Sequence, residues 1–331
     1  MREDFSVKQR LFCAVAGMAP KLPNFQVRTR LFLKLFRLLG LASKHTKVVV
    51  TLQEPVCYLA ALDLRSWLQR IAFLTGSYEA DTSARLIDLY ECDGRKGFFL
   101  DIGANVGLIS LPFAMHFRPQ KVRCFAVEMV PDNFRALVEN IKLNGLEDIV
   151  TPIHAGLGDV AREVKFRIEG NLVTGEGTGN ANIVPDDPNQ LTAYKFVSAR
   201  GNSIQIDTLD SLAKNGRFPG ECSLIKIDAD GYDLKILQGA KSFIDMNRPL
   251  IFGEFSSYCM GWHGQQRTDM YAFANSIDYD VFDPSGRSLT DASDLEESLL
   301  LVPRERGRAS VIRGALQGGL GGTAHKRGCA Q

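Results

Sequence analysis

Residues that could do chemistry are concentrated in residues 224–239, LIKIDADGYDLKILQG. Lys226 and Asp228 alternate with Ile225 and Ile227, so on a strand they share one face. A lysine there is costly to bury unless paired, and Asp228 or Glu254 would be its partner. Asp228, Asp230 and Asp233 crowd the carboxyl end of that strand. Neighbouring carboxylates raise one another's pKa, which suits one of them to act as a general base. The same oxygens could hold a divalent cation, although no metal site is expected. Asp230 also reads as a turn residue and Asp233 as a cap on the next helix. Glu254 ends a second apolar strand, 249–255, on the same side of the sheet. His263 follows in a polar segment with Ser256, Ser257, Tyr258 and Trp262. It titrates near neutral pH, so it is another candidate base, or else a surface-loop histidine.

A second constellation lies at 98–107, FFLDIGANVG. An apolar run enters an acid and then a glycine turn, which reads as a buried strand ending in a turn that opens a helix. Gly103 and Gly107 allow backbone angles and close approaches that side chains forbid. Helix N-termini favour anionic groups. A dinucleotide fingerprint would need glycine at position 105, and Asn105 stands there. Asp101 would repel phosphate at the turn. An acid at this place suits a ligand with an ammonium group and hydroxyls but no phosphate, and S-adenosylmethionine answers that description. A following strand, 122–128, ends in Glu128, placed to accept hydrogen bonds from both ribose hydroxyls. Asp159, after Gly156 and Gly158, could accept from an adenine amino group or serve as a turn residue. His154 reads as a packed strand residue.

These residues need a frame to position them. From residue 97 onward strands and helices alternate. Strands are expected at 98–102, 122–127, 149–154, 224–228, 250–255, 280–282 and 299–302. Helices are expected at 106–117, 132–143, 234–243 and 268–276. Such alternation implies a mainly parallel α/β sheet with helices on both faces and a ligand site beyond the strands' carboxyl ends. The alternation lapses at 159–206, an insertion with short strands at 164–168 and 195–198 around the Gly/Asn/Asp-rich segment 170–188. It reads as a cap over the substrate or as a surface loop. Residues 1–72 read as a helical, partly basic extension. Within 25–41, Arg30, Lys34 and Arg37 share one helical face. That face would touch a membrane surface or form a lid, or simply be the solvated side of a packed helix. Residues 304–331 read as a disordered tail.

The 331-residue chain carries 39 basic and 38 acidic residues, a net charge of +1, which argues against a nucleic-acid partner. Seven scattered cysteines form no C-x-x-C pair, so structural zinc and a disulfide framework are not expected and a reduced, cytoplasmic setting is. No stretch is long and apolar enough to span a membrane, and the short apolar run at 11–20 makes a poor signal peptide.

Together these pieces resemble the FkbM family of S-adenosylmethionine-dependent methyltransferases. The resemblance rests on 101–107 (DIGANVG), Glu128, Gly158-Asp159, 207–212 (DTLDSL), 226–231 (KIDADG), 237–240 (LQGA) and 76–79 (GSYE). It covers roughly residues 73–303 as a methyltransferase domain. It implies a Rossmann-like class I fold, a mostly parallel seven-stranded sheet whose last strand is antiparallel. It also implies O-methylation of a sugar, glycolipid or small hydroxylated metabolite. Carried over by position, Asp101, Gly103, Asn105, Gly107, Glu128 and Asp159 would surround the cofactor. Lys226, Asp228 and Asp230 would line the reaction centre, although the family commonly has Glu where this chain has Asp230. The rival readings are an NAD(P)-dependent oxidoreductase and a non-catalytic cofactor-binding module at a membrane surface.

Overall fold

The computed structural model describes residues 47–168, 180–185, 202–290 and 296–305, with Lys34, Leu35, Leu38, Arg308, Ala309 and Ile312. Arg30, Arg37, the segment 195–198, most of 170–188 and nearly all of the expected tail lie outside those residues. Among the described residues no helix is long and apolar enough to cross a membrane.

Eight strands form the central sheet. β3 (Phe98–Ile102), β4 (Cys124–Glu128) and β5 (Val150–His154) run outward on one side of the middle, and β10 (Cys222–Ile227) and β11 (Leu250–Glu254) on the other, all parallel. β14 (Ser298–Pro303) runs antiparallel between β11 and β12 (Tyr279–Phe282). The two-residue β13 (Ser288–Leu289) pairs with β12 at the edge and takes the sheet one strand beyond the expected seven. The chain order reverses between β3 and β10, and a crevice opens there at the carboxyl ends.

Alternation sorts the strand residues onto two faces. Leu100, Ile102, Ile225 and Ile227 pack with Leu234 and Phe243 on one side, while Phe99 and Leu224 pack with Leu111, Phe113 and Leu137 on the other. The helices are α1 (Trp67–Thr75), α2 (Ala80–Asp93), α3 (Ser110–His116), α4 (Pro131–Leu143), α5 (Leu209–Lys214), α6 (Asp233–Gln238), α7 (Lys241–Asn247), α8 (Ser257–Gly261) and α9 (Arg267–Ser276). Two expected helices are corrected. The one at 106–117 begins only at Ser110, because Asn105 and Gly107 hold left-handed backbone angles that keep the preceding turn open. The one at 234–243 breaks into α6 and α7 at Gly239, where a Cβ would stand 2.0 Å from the Gly158 carbonyl oxygen.

The insertion after β5 builds a second sheet, ordered β6 (Gly156–Leu157), β9 (Asn202–Asp207), β7 (Arg162–Ile168), β8 (Ala181–Ile183). Before the central sheet, residues expected to be helical form a hairpin, β1 (Lys47–Leu52) with β2 (Tyr58–Asp63). The β-branched run at 48–51, VVVT, favours strand over helix. Among the described residues the inner edge of β2 has no neighbouring strand. Two asparagines one turn apart on α4 take that place. Asn140 accepts from the Ala61 N–H at 2.7 Å and donates to the Ala61 and Val106 carbonyls, and Asn144 makes the same reciprocal pair with Leu59. Cys92, Cys124, Cys222 and Cys259 are free thiols, but Cys57 is disulfide-bonded, which corrects the expectation of a fully reduced chain.

Asn140 is completely buried, so its truncation strands backbone groups away from water. Asn140→Ala is expected to lower stability by about 2–3 kcal/mol in urea unfolding, on the scale of leaving buried polar groups unpaired. Asn144→Ala, at a more exposed position, should cost less.

Candidate functional site

A cavity of about 300 Å³ occupies the crevice at the carboxyl ends of β3, β4, β10 and β11. Its floor is the turn after β3. Gly103 sits there with φ 77, and a Cβ on it would stand 1.9 Å from the Asp228 carbonyl oxygen. This glycine is therefore needed for backbone to touch backbone where β3 and β10 diverge. Gly107, by contrast, packs on Leu137 and Leu111 and does not reach the cavity wall.

Glu128 closes β4 and lines the cavity while only 5% exposed. Its Oε2 accepts from the Asn105 N–H at 2.8 Å and its Oε1 from the Val130 N–H at 2.7 Å, with Asn133 Nδ2 at 3.5 Å. Burial pushes its pKa up to about 7, although the Val130, Asn105 and Asn133 donors pull the other way. Asn105 also lines the cavity, and its buried Oδ1 has no hydrogen-bond partner among the described residues.

Lys226 is buried between two acids. Its Nζ stands 3.3 Å from Asp101 Oδ1 and 3.5 Å from Asp228 Oδ2, and donates to the Gly103 carbonyl at 3.4 Å. Burial opposes the ammonium, but Asp101 and Asp228 outweigh it and its pKa rises. The expectation of an acidic partner is met by Asp228 and by Asp101, not by Glu254. Asp101 was expected to face the cofactor. It does not line the cavity, being fully buried with its other oxygen accepting from Ser110 Oγ at 2.5 Å. Its charge is directed at Lys226.

Asp228, Asp230 and Glu254 all line the cavity. Asp230 holds φ 49, and the turn around it is closed from below by Asp233. That carboxylate accepts from the Ala229 N–H at 2.8 Å and the Gly231 N–H at 3.0 Å. Asp233 is thus a turn brace and not a side-chain cap of α6. Glu254 makes no hydrogen bond or ion pair among the described residues. Burial, then the charges of Asp228, Glu297 and Glu79, pushes its pKa up to about 6.

Two expected site residues stand elsewhere. Asp159 is 3.4 Å from Lys235 Nζ and is not part of the wall. His263 packs edge-on against Tyr232, one layer behind the cavity. His154, read as a packed strand residue, is instead exposed at the end of β5, with its ring stacked on Phe134. Conversely, Tyr78, Glu79, Asn133 and Tyr232 line the cavity without having been named as site residues, and so do Ala181 and Ile183 of β8. GSYE was visible as a motif, but nothing local ties it to the ends of β3, β4, β10 and β11. Among the described residues no group of three or more His, Cys, Asp or Glu side chains is arranged to hold a metal.

Among the described residues the wall carries five carboxylates (Glu79, Glu128, Asp228, Asp230, Glu254) and one cationic side chain, Lys226. That field opposes a pyrophosphate and suits a ligand with positive charge and hydroxyls. A model of the Methyltransferase FkbM domain matches residues 101–279, more than half of the chain. The chain belongs to the FkbM methyltransferase family. It is 26% identical over 161 residues to Methyltransferase sdnD of Sordaria araneosa, covering 43% of this chain and 60% of that one. The chain therefore spans less than two thirds of this relative's length. Among solved structures, the FkbM methyltransferase of Methylobacillus flagellatus KT is 17% identical with a TM-score of 0.38, covering 62% of this chain and 43% of that one. TYW2 of M. jannaschii in complex with AdoMet is 14% identical with a TM-score of 0.37, covering 78% and 85%.

Removing the ammonium would leave Asp101 buried and unpaired. Lys226→Met is expected to destabilise the chain by about 3–5 kcal/mol in denaturant unfolding. Adding Asp101→Asn should recover part of that loss. Equal stability of Lys226→Met and wild type would show that Asp101 does not need the charge.

Proposed function

We propose that this chain is an S-adenosylmethionine-dependent O-methyltransferase acting on an uncharged hydroxylated acceptor, such as a sugar, glycolipid or small polyol. The observation that carries the reading is Glu128. It is a strand-end carboxylate anchored by the N–H groups of the neighbouring turns, and it lines a cavity almost devoid of positive charge. Glu128 Oε2 keeps a lone pair for a ribose hydroxyl, and the long 3.5 Å contact from Asn133 leaves Oε1 only weakly engaged beyond its bond from Val130. Asn105 Oδ1, buried and unpartnered, fits an ammonium donor, and Asn133 adds an amide beside Glu128. These residues would hold the cofactor, which when bound supplies a methyl group activated by a positive sulfonium. The same lining disfavours an NAD(P) cofactor, whose phosphates would face carboxylates.

The chain's own contribution is alignment and proton transfer. Lys226 anchors Asp228 at the mouth of β10, where the carboxylate can accept an acceptor hydroxyl and orient it. Lys226 already occupies the Asp228 carboxylate. Glu254 on the adjacent strand end has no such partner, and its pKa of about 6 leaves it ionised at neutral pH yet basic enough to take the hydroxyl proton. Asp228, the first choice from sequence, becomes the orienting group.

Glu254→Gln should lower turnover about a hundredfold or more, the range for losing a general base, with little change in cofactor affinity. The test is transfer from labelled cofactor to a panel of neutral glycosides and polyols. The proton must go to the ionised form, so wild-type turnover should fall as pH drops through about 6, and the variant should lose that limb. Near-normal turnover in Glu254→Gln would return the role to Asp228 or Asp230.

Cofactor affinity should titrate separately. Glu128 is protonated below about 7 and accepts two hydroxyls best when ionised, so calorimetric affinity should rise from pH 6 to pH 8. Glu128→Gln should flatten that rise and weaken binding by about 1.5–3 kcal/mol. A variant with wild-type affinity would remove Glu128 from the cofactor site.

A further inference from the structure

Tyr78 precedes the residues matched to the family and does not stand at a strand end. The turn that carries it, between α1 and α2, is nevertheless built to hold one shape. Gly76 caps α1 in a left-handed conformation, its carbonyl accepting from the Gln53 N–H at 3.0 Å. Thr75 Oγ1 donates to the Ser77 carbonyl at 2.6 Å, and Ser77 bridges in turn to Glu54. Glu79, with φ 40, takes an angle that non-glycine residues rarely adopt. The outcome of this bracing is that Tyr78 and Glu79 both join the wall of the cavity that Asp228 and Asp230 also line.

The Tyr78 hydroxyl lies beside the Glu79 carboxylate. Burial, with the charges of Glu79 and Asp228 behind it, raises the phenol's pKa, so the ring stays neutral. A neutral aromatic ring among carboxylates is a receptor for a cation of diffuse charge, because the ring's quadrupole and the anions act in the same sense. Loss of the methyl group turns the sulfonium into an uncharged thioether of nearly the same shape. Contacts that read shape alone would hold both forms equally, whereas an aromatic ring beside anions distinguishes them.

We propose that Tyr78 is the residue that recognises the positive charge of the methyl donor, so that the site holds S-adenosylmethionine in preference to its demethylated product. This rests on the methyl-transfer reading above. It assigns the N-terminal hairpin and α1 a purpose, since they brace the turn that presents Tyr78. Glu79 acts through that ring as a positioning residue and adds its own charge to the preference. Product leaves more readily once the charge is gone.

The test is calorimetric titration of the full chain with S-adenosylmethionine and with S-adenosylhomocysteine, which needs no acceptor. Wild type should prefer the charged ligand. Tyr78→Leu should lose about three- to tenfold in affinity for S-adenosylmethionine, the scale of a cation–aromatic contact, while affinity for S-adenosylhomocysteine changes by less than about twofold. Tyr78→Phe keeps the ring and should keep most of the preference, and it remains informative if the leucine variant does not fold. Equal losses for both ligands in Tyr78→Leu, no loss at all, or a preference abolished in Tyr78→Phe would each overturn the assignment. Wild type that binds neither ligand would overturn the methyl-transfer reading itself, whereas wild type that binds both equally would overturn only the role of Tyr78.

Discussion

The site depends on one buried ion pair, Lys226 with Asp101, made across the two central strands where the chain order reverses. Three contacts coincide there. The ammonium bridges Asp101 to Asp228 and touches the Gly103 carbonyl, and Gly103 in turn abuts the Asp228 backbone. Taking both charges out of water costs several kcal/mol each, so such a pair is poor as pure scaffolding. What it does supply is register. An ammonium gripped by strand ends on both sides fixes how far each strand reaches, and with it where the turn after β3 and the turn after β10 face each other. The cavity is the gap those two turns leave.

Its electrostatics follow from how differently its carboxylates are held. Glu128 is buried and spanned by backbone donors, Asp228 is neutralised by Lys226, and Glu254 is left without a partner. Burial raises Glu128 and Glu254 towards neutrality by different amounts, so identical chemical groups are suited to different tasks. On the proposed methyl-transfer reading, the pattern separates a binding end near β4 from a proton-handling end near β10 and β11.

The hairpin before the central sheet is part of this machinery and not an appendage. Asn140 and Asn144 dock its inner strand onto α4 by imitating a neighbouring strand's amides. Tyr58 adds a hydrogen bond to the Leu108 carbonyl in the turn region that floors the cavity. Through the Gln53–Gly76 and Glu54–Ser77 contacts the hairpin also carries the turn that completes the cavity wall. Helix-based side chains that satisfy a strand edge leave no sequence periodicity of their own, which is why this unit read as helical.

Where a signal is local, the sequence by itself determined the outcome. Alternating apolar residues placed the seven main strands to within a residue or two, and a run ending in acid, glycine and asparagine marked the turn at Gly103. Strand-end position alone brought Glu128, Lys226, Asp228, Asp230 and Glu254 to one crevice, because parallel strands of a doubly wound sheet end on the same side. Only the tertiary structure decided which groups meet. It paired Lys226 with Asp101 across β3 and β10, turned Asp101 away from the cavity, set His263 and Asp159 outside the wall, and brought in Tyr78, Glu79 and Tyr232. The physical reason is that periodicity and turn chemistry are short-range, set by a residue and its next few neighbours. A side chain's partner is fixed by strand order, register and the docking of distant segments, which no local pattern encodes.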